Sequence, residues 1–152
     1  MQLTMTGEYA IRAMLHLSSV PVGSIVQISA IAKQTEIPDN FLRKIVTQLS
    51  KAGLITSQRG AGGGIQLAAP AETVTLLDVI EAVEGKLNFN KCVLNKHACS
   101  RTEWCAVHIV WCEAQQKMKD HLSGQSLLEI VANNAERYAQ FRCLSEHATV
   151  EA

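Results

Sequence analysis

The chain carries no net charge, because its 14 Lys and Arg balance 14 Asp and Glu over 152 residues. It has no apolar run approaching the roughly 18 residues that a membrane span requires. Its first residues, MQLTMTGEYA, lack the basic patch and following apolar stretch of an export signal. A cytoplasmic protein with no membrane association is expected. The length excludes a large multidomain enzyme. No nucleophile beside a base, no paired catalytic carboxylates and no cofactor fingerprint can be read, which argues against an enzyme. The five cysteines, at 92, 99, 105, 112 and 143, are odd in number and do not read as a disulfide framework.

The balanced charge conceals an asymmetry. Residues 1–66 hold six basic and three acidic residues, a surplus of three positive charges, and the remainder holds eight and eleven. A basic front half on a neutral chain points to a local anionic partner.

Residues 7–20 place Tyr9, Ala10, Ala13, Met14 and Leu17 on one stripe at helical spacing, predicting an amphipathic helix. After the Pro21-Val22-Gly23 break, a short helix over 28–36 and a second from about 40 to 52 flank Ile37-Pro38-Asp39, the pattern of a helix-turn-helix. In the second of these helices Leu42, Ile45, Val46 and Leu49 form the buried stripe. Asn40, Arg43, Lys44, Thr47 and Lys51 form the opposite face, cationic and rich in hydrogen-bond donors. Taken alone, that face fits ordinary solvation as well as it fits DNA.

The stretch after this helix tips the balance. Residues 54–60 and 64–68 read as short strands around Gly60-Ala61-Gly62-Gly63-Gly64. No Lys-Ser/Thr pair and no helix follow this loop, so a phosphate cradle for a nucleotide fails on context. A two-stranded wing with Arg59 at its edge fits better, since glycines let the backbone approach a polyanion and a guanidinium can enter a narrow minor groove.

Thr75-x-x-Asp78 opens a helix over 75–84 that Gly85 ends. Residues 86–104 show neither period and read as a loop. Helical period returns over 105–122, with Val107, Trp111, Ala114, Met118 and Leu122 on a stripe that calls for a second subunit. Ser126-x-x-Glu129 opens a short helix to about 134. The expected fold is mainly α. A winged helix-turn-helix domain with a small β-wing covers 1–85, and a cysteine-containing loop covers 86–104. A long dimerisation helix and a C-terminal helix cover 105–135, and a tail covers 136–152.

The opening MQLTxxGEYAIRAM, the helix-turn-helix, the wing RGAGGGIQLA and the spacing Cys92-x6-Cys99-x5-Cys105 together resemble the Rrf-type winged-helix transcription regulators, the IscR/NsrR/RirA-like group. The resemblance runs from residue 1 to about 134. It implies a homodimer that binds a palindromic double-stranded DNA operator, with an iron-sulfur cluster setting DNA affinity or operator choice. Carried over by position, Asn40, Arg43, Lys44 and Thr47 would face the major groove, and Arg59 with Gly60 would make the wing contact. Lys33 and Lys51 would add phosphate contacts. One departure concerns the turn between the two helices, where the family usually has glycine and this chain has Glu36. Glutamate tolerates a left-handed backbone poorly, so a reshaped turn and a shift of about one residue in the recognition helix are expected.

Three thiols crowded into 92–105 of a cytosolic chain point to metal or redox chemistry, and thiolates suit both iron-sulfur clusters and zinc. The gaps of six and five residues are wider than the roughly two to four of a zinc knuckle and do not by themselves prove a cluster. The resemblance implies a 2Fe-2S or 4Fe-4S cluster on Cys92, Cys99 and Cys105. A cluster-free thiol switch or a zinc-stabilised regulator of the same fold is the alternative. Three cysteines leave one position open, for which His108, Glu8 of the partner chain, His97 and Cys112 are candidates. His108 stands where IscR-like members have their ligand, and position 8 is where NsrR-like members have theirs.

Overall fold

The first helix, α1 (Met5–Ser18), starts where Thr4 turns its hydroxyl onto the N–H groups of Thr6 and Gly7. That leaves part of the helix N-terminus in need of an acceptor, and the acceptor is distant in sequence. Glu84 Oε1 accepts from Thr4 N and Gly7 N, each at 3.1 Å, and from the Thr4 hydroxyl. A carboxylate at this end of a helix also complements the helix dipole. A Cβ at Gly7 would come within 2.6 Å of the same oxygen, so a side chain there would push the Glu84 carboxylate away from its donors.

The computed structural model describes residues 2–135; the tail expected over 136–152 lies outside the described residues. After α1 come α2 (Ile28–Thr35) and α3 (Asp39–Lys51), strands β1 (Ile55–Gln58) and β2 (Gly64–Leu67), and α4 (Leu76–Glu84). The antiparallel β1–β2 pair has Ile55 opposite Leu67 and Gln58 opposite Gly64. Val26 adds a bridge through reciprocal 2.9 Å bonds with Ile65. One core joins these elements, and its fully buried side chains include Met14, Ile31, Leu42, Ile45, Leu49, Ile65 and Val79. The mainly α winged-helix architecture expected from the sequence is present.

The turn between α2 and α3 departs from the expected one. Glu36 takes the left-handed conformation itself, at φ 56° and ψ 34°, so the turn is not reshaped. The strain, about 1–2 kcal/mol for a non-glycine residue, is offset because Ile37 beside it is buried in the core. Arg12 also donates to the Thr35 carbonyl at 3.0 Å.

The segment 86–104, expected as a loop without period, contains α5 (Lys91–Leu94) and a 3-10 turn over Lys96–Ala98. Both are too short to leave a periodic trace. Next comes α6 (Ala106–Ser123), and the last described helix, α7 (127–135), opens on the Ser126–Glu129 capping box. Glu129 is held below the ordinary carboxylate range by the Ser126 N–H and then by its hydroxyl. Leu127 is fully buried in the same core as α1 and α3, and Ser126 bridges to Thr75.

Between these parts stands α4, packed on α1, α3 and α6 and opened by the Thr75–Asp78 capping box. Glu84 closes it onto α1. Glu81, one turn earlier, accepts from Lys119 of α6 at 2.8 Å and from Leu87 N at 3.1 Å. Replacing Glu84 by Ala strips the start of α1 of an acceptor shared by three donors, and should cost about 1–2 kcal/mol of unfolding free energy. Urea denaturation measures it, and an unchanged midpoint would show that water replaces the carboxylate without loss.

Candidate nucleic-acid interface and cysteine segment

The two faces of α3 are cleanly separated. Leu42, Ile45, Val46 and Leu49 are buried, while Asn40, Arg43, Lys44, Thr47 and Lys51 are all exposed along the opposite side. Two of the exposed side chains are already engaged within the helix. Arg43 Nε meets Asp39 Oδ2 at 2.6 Å, a solvent-exposed pair of little net stability that a phosphate can displace. Thr47 donates its hydroxyl to the Arg43 carbonyl at 3.0 Å, so only its oxygen lone pairs and methyl face outward. Lys33 is exposed on α2.

Beside this face stands the wing. Gly60 turns the chain at φ 113°, and the Gly63 N–H closes the tip onto the Gly60 carbonyl at 3.0 Å. A Cβ at Gly63 would collide with the Gln58 carbonyl, and one at Gly64 with Val26, so the tight tip depends on their missing side chains. Arg59 and Gly60 are exposed at its edge. Between wing and α3 runs a cleft of about 380 Å³ where Arg43 and Arg59 come together with Gln27, Ser29, Ser57 and Gln58. The four polar residues escaped the sequence reading, because nothing in the spacing of 27–29 and 57–58 tells that the two segments meet. Two guanidiniums and several polar side chains around one open cleft suit a sugar-phosphate backbone.

The cysteine segment follows α4. Cys92 lies half-buried on α5, Cys99 is exposed beyond the 3-10 turn, and Cys105 is the half-buried N-cap of α6. Cys92, Cys99, Cys105 and Cys112 are all free thiols. The Cys99 carbonyl accepts from the Thr102 hydroxyl at 2.8 Å, and the Cys105 carbonyl accepts from His108 N at 3.0 Å. Among the described residues, no three His, Cys, Asp or Glu side chains converge tightly enough to hold one metal ion. The donors themselves are those of thiolate-bound iron, carried on one short segment.

The candidates for a fourth ligand are scattered. His108 Nε2 lies 3.5 Å from Cys112 Sγ, one turn further along α6, and its Nδ1 is buried with no hydrogen-bond partner among the described residues. His97 is exposed on the 3-10 turn, with its N–H donated to Asn95 Oδ1 at 2.9 Å. Glu8 is exposed in the first turn of α1.

The stripe expected on α6 divides. Val107 and Trp111 are exposed, whereas Ala114, Met118 and Leu122 are half-buried against the chain. Polar contacts fasten this helix. Lys119 pairs with Glu81, Gln115 Oε1 accepts from Phe89 N at 3.1 Å, and the Trp111 ring lies against Phe89 with centroids 6.0 Å apart. The N-terminal half of α6 is left with Val107, Ile109 and Val110 more than half exposed. Among the described residues no helix is long and apolar enough to cross a membrane.

Comparison with known proteins bears on these features. The family model described as Rrf2, iron-dependent transcriptional regulator, matches residues 3–133. A protein of Neisseria meningitidis named as an HTH-type transcriptional regulator is 34% identical over 145 residues, covering 93% of this chain and 97% of its own. The fold is that of T. potens IscR, with a TM-score of 0.72 at 24% identity and 90% of each chain covered. It is also that of CymR, the global cysteine regulator of B. subtilis, with a TM-score of 0.70 at 20% identity over 88% of this chain and 98% of that one. With a helix-turn-helix whose outer face is basic, a glycine-built wing beside it and a family match over nearly all of its length, the chain belongs to the Rrf2 family of DNA-binding transcriptional regulators.

Proposed function

We propose that this regulator binds its operator as a homodimer through Asn40, Arg43, Lys44 and Thr47 in the major groove and Arg59 with Gly60 at the wing. Lys33 and Lys51 serve phosphates. Cys92, Cys99 and Cys105 hold an iron-sulfur cluster, 2Fe-2S or 4Fe-4S, whose state sets operator affinity in the cytoplasm. The observation that carries the sensing part is the position of α4. Its last residue caps α1 through Glu84, its Glu81 grips α6 through Lys119, and the cysteine segment spans the interval between them. A change of shape in that segment therefore pulls on both ends of the regulator. The apolar N-terminal half of α6 supports the pairing of two subunits.

When bound, the cluster supplies a centre sensitive to iron, oxidant or nitric oxide. The chain supplies thiolates and one weaker donor. An imidazole or carboxylate is held less tightly than a thiolate, so the fourth position is the one that opens first. His108 is the favoured donor there, with Glu8 of the partner chain second and His97 and Cys112 behind. The separation of the thiols favours one other reading, a cluster-free thiol switch of the same fold.

Anaerobically purified protein should contain iron and acid-labile sulfide and absorb in the visible. Each of Cys92→Ala, Cys99→Ala and Cys105→Ala should abolish that absorbance. His108→Ala should leave a cluster that assembles but is lost faster in air, and Glu8→Ala should change little; the reverse would assign the ligand to the partner chain. Wild-type protein free of iron and sulfide would exclude the cluster and leave the thiol switch or, if zinc is found, a zinc-stabilised regulator.

Operator affinity should fall with salt at a log–log slope of about −0.9 per phosphate contact, and Arg59→Ala should flatten that slope by about one such contact per subunit. A slope near zero in titrations at several salt concentrations would contradict the interface.

A further inference from the structure

We propose that Phe41 is a specificity-determining residue that reads the 5-methyl group of a thymine in the major groove; the assignment rests on the DNA-binding reading above. Phe41 lies in the first turn of α3, and the N-terminal residues of a recognition helix are those that reach base edges. It is not a core residue. The buried face of α3 consists of Leu42, Ile45, Val46 and Leu49, and Phe41 is 50% exposed.

An exposed phenyl ring at the border of the cationic helix face, on the side of α1, calls for a physical reason, and the ring is held in place. Tyr9 meets it edge-on with centroids 6.3 Å apart, and the Lys44 ammonium stands 5.8 Å from its centroid. The Tyr9 ring carries the Arg12 guanidinium at 5.5 Å. A ring fixed by two neighbours loses little rotamer freedom when it binds. It borders an open cleft of about 650 Å³ between the start of α1, α3 and the end of α4, together with Lys44, Thr47 and Gln48. Along the major-groove edges the apolar feature is the thymine methyl, and apolar side chains including Phe recognise it. The preceding residue, Asn40, is exposed and of the type that pairs with adenine N6 and N7. The two together describe a reader of neighbouring A·T pairs.

The test begins with duplexes enriched from a random-sequence pool by the wild-type protein. Each thymine of the enriched site is then replaced singly by deoxyuridine, which removes only the methyl. Wild-type binding should weaken by about fourfold at one thymine of a half-site, the worth of one apolar carbon taken out of water. Phe41→Ala should bind both versions of that duplex equally, and Phe41→Leu should retain much of the difference. Circular dichroism confirms that the variants are folded, and if Phe41→Ala does not fold, a penalty that Thr47→Ser keeps and Phe41→Leu reduces assigns the contact to Phe41, while one that Thr47→Ser removes overturns it. Indifference of the wild type to every replacement overturns the assignment, as does an undiminished penalty in folded Phe41→Ala; either leaves the DNA-binding reading intact. A pool in which nothing is enriched overturns both.

Discussion

The rest of the molecule hangs on the last turn and a half of α4. Two of its carboxylates are committed in opposite directions, Glu84 to the start of α1 and Glu81 to Lys119 of α6. Each is a local contact of modest energy, but together they fix the two ends of the cysteine segment. The DNA-reading part is rigid because α1, α2, α3, both strands and α4 share one core, and α7 contributes Leu127 to it. The cysteine segment, by contrast, has Cys99 exposed and only single helical turns of its own. The two parts therefore differ in how they are held, one by a shared core and the other by a few definite contacts.

The reader itself is assembled by backbone constraint as much as by charge. Glu36 accepts a left-handed conformation so that α2 and α3 can cross with a tight turn. The wing closes because Gly63 and Gly64 leave room for neighbouring carbonyls. Arg43 and Arg59, distant in sequence, then share one cleft. Two of the six basic residues in the first 66 thus meet in one cleft, where they can neutralise phosphates.

Much of this was legible in the sequence, and the exceptions share a cause. The helix-turn-helix, the wing, and the capping boxes at Thr75–Asp78 and Ser126–Glu129 are local patterns of apolar period, turn chemistry and fixed spacing, and the structure holds them within a residue or two. Contacts between distant polar residues leave no such trace. Glu84 on Thr4 and Gly7 spans about 80 residues, and Glu81 with Lys119 spans 38. The expected apolar stripe of α6 divides where two such contacts, Gln115 with Phe89 and Lys119 with Glu81, fasten the helix, and Val107 is left more than half exposed. The turn at Glu36 misled because propensity disfavours a glutamate there and tertiary packing overrides propensity. Of the candidate site, the outward face of α3 followed directly from period. The polar lining of the wing cleft did not, because Gln27 and Ser29 reach it only through the Val26–Ile65 bridge.

The central claim is that the state of the cysteine segment governs the grip of the DNA-binding face. The most direct measurement is the dissociation constant of the anaerobically purified protein for its enriched duplex, taken before and after iron is removed with a chelator, at one fixed salt concentration. Cys99→Ala is measured in parallel. The account predicts that wild-type affinity changes by at least tenfold, about 1.4 kcal/mol, and that Cys99→Ala shows one affinity under both conditions. Equal wild-type affinities with and without iron, in protein shown to have carried it, would contradict the account.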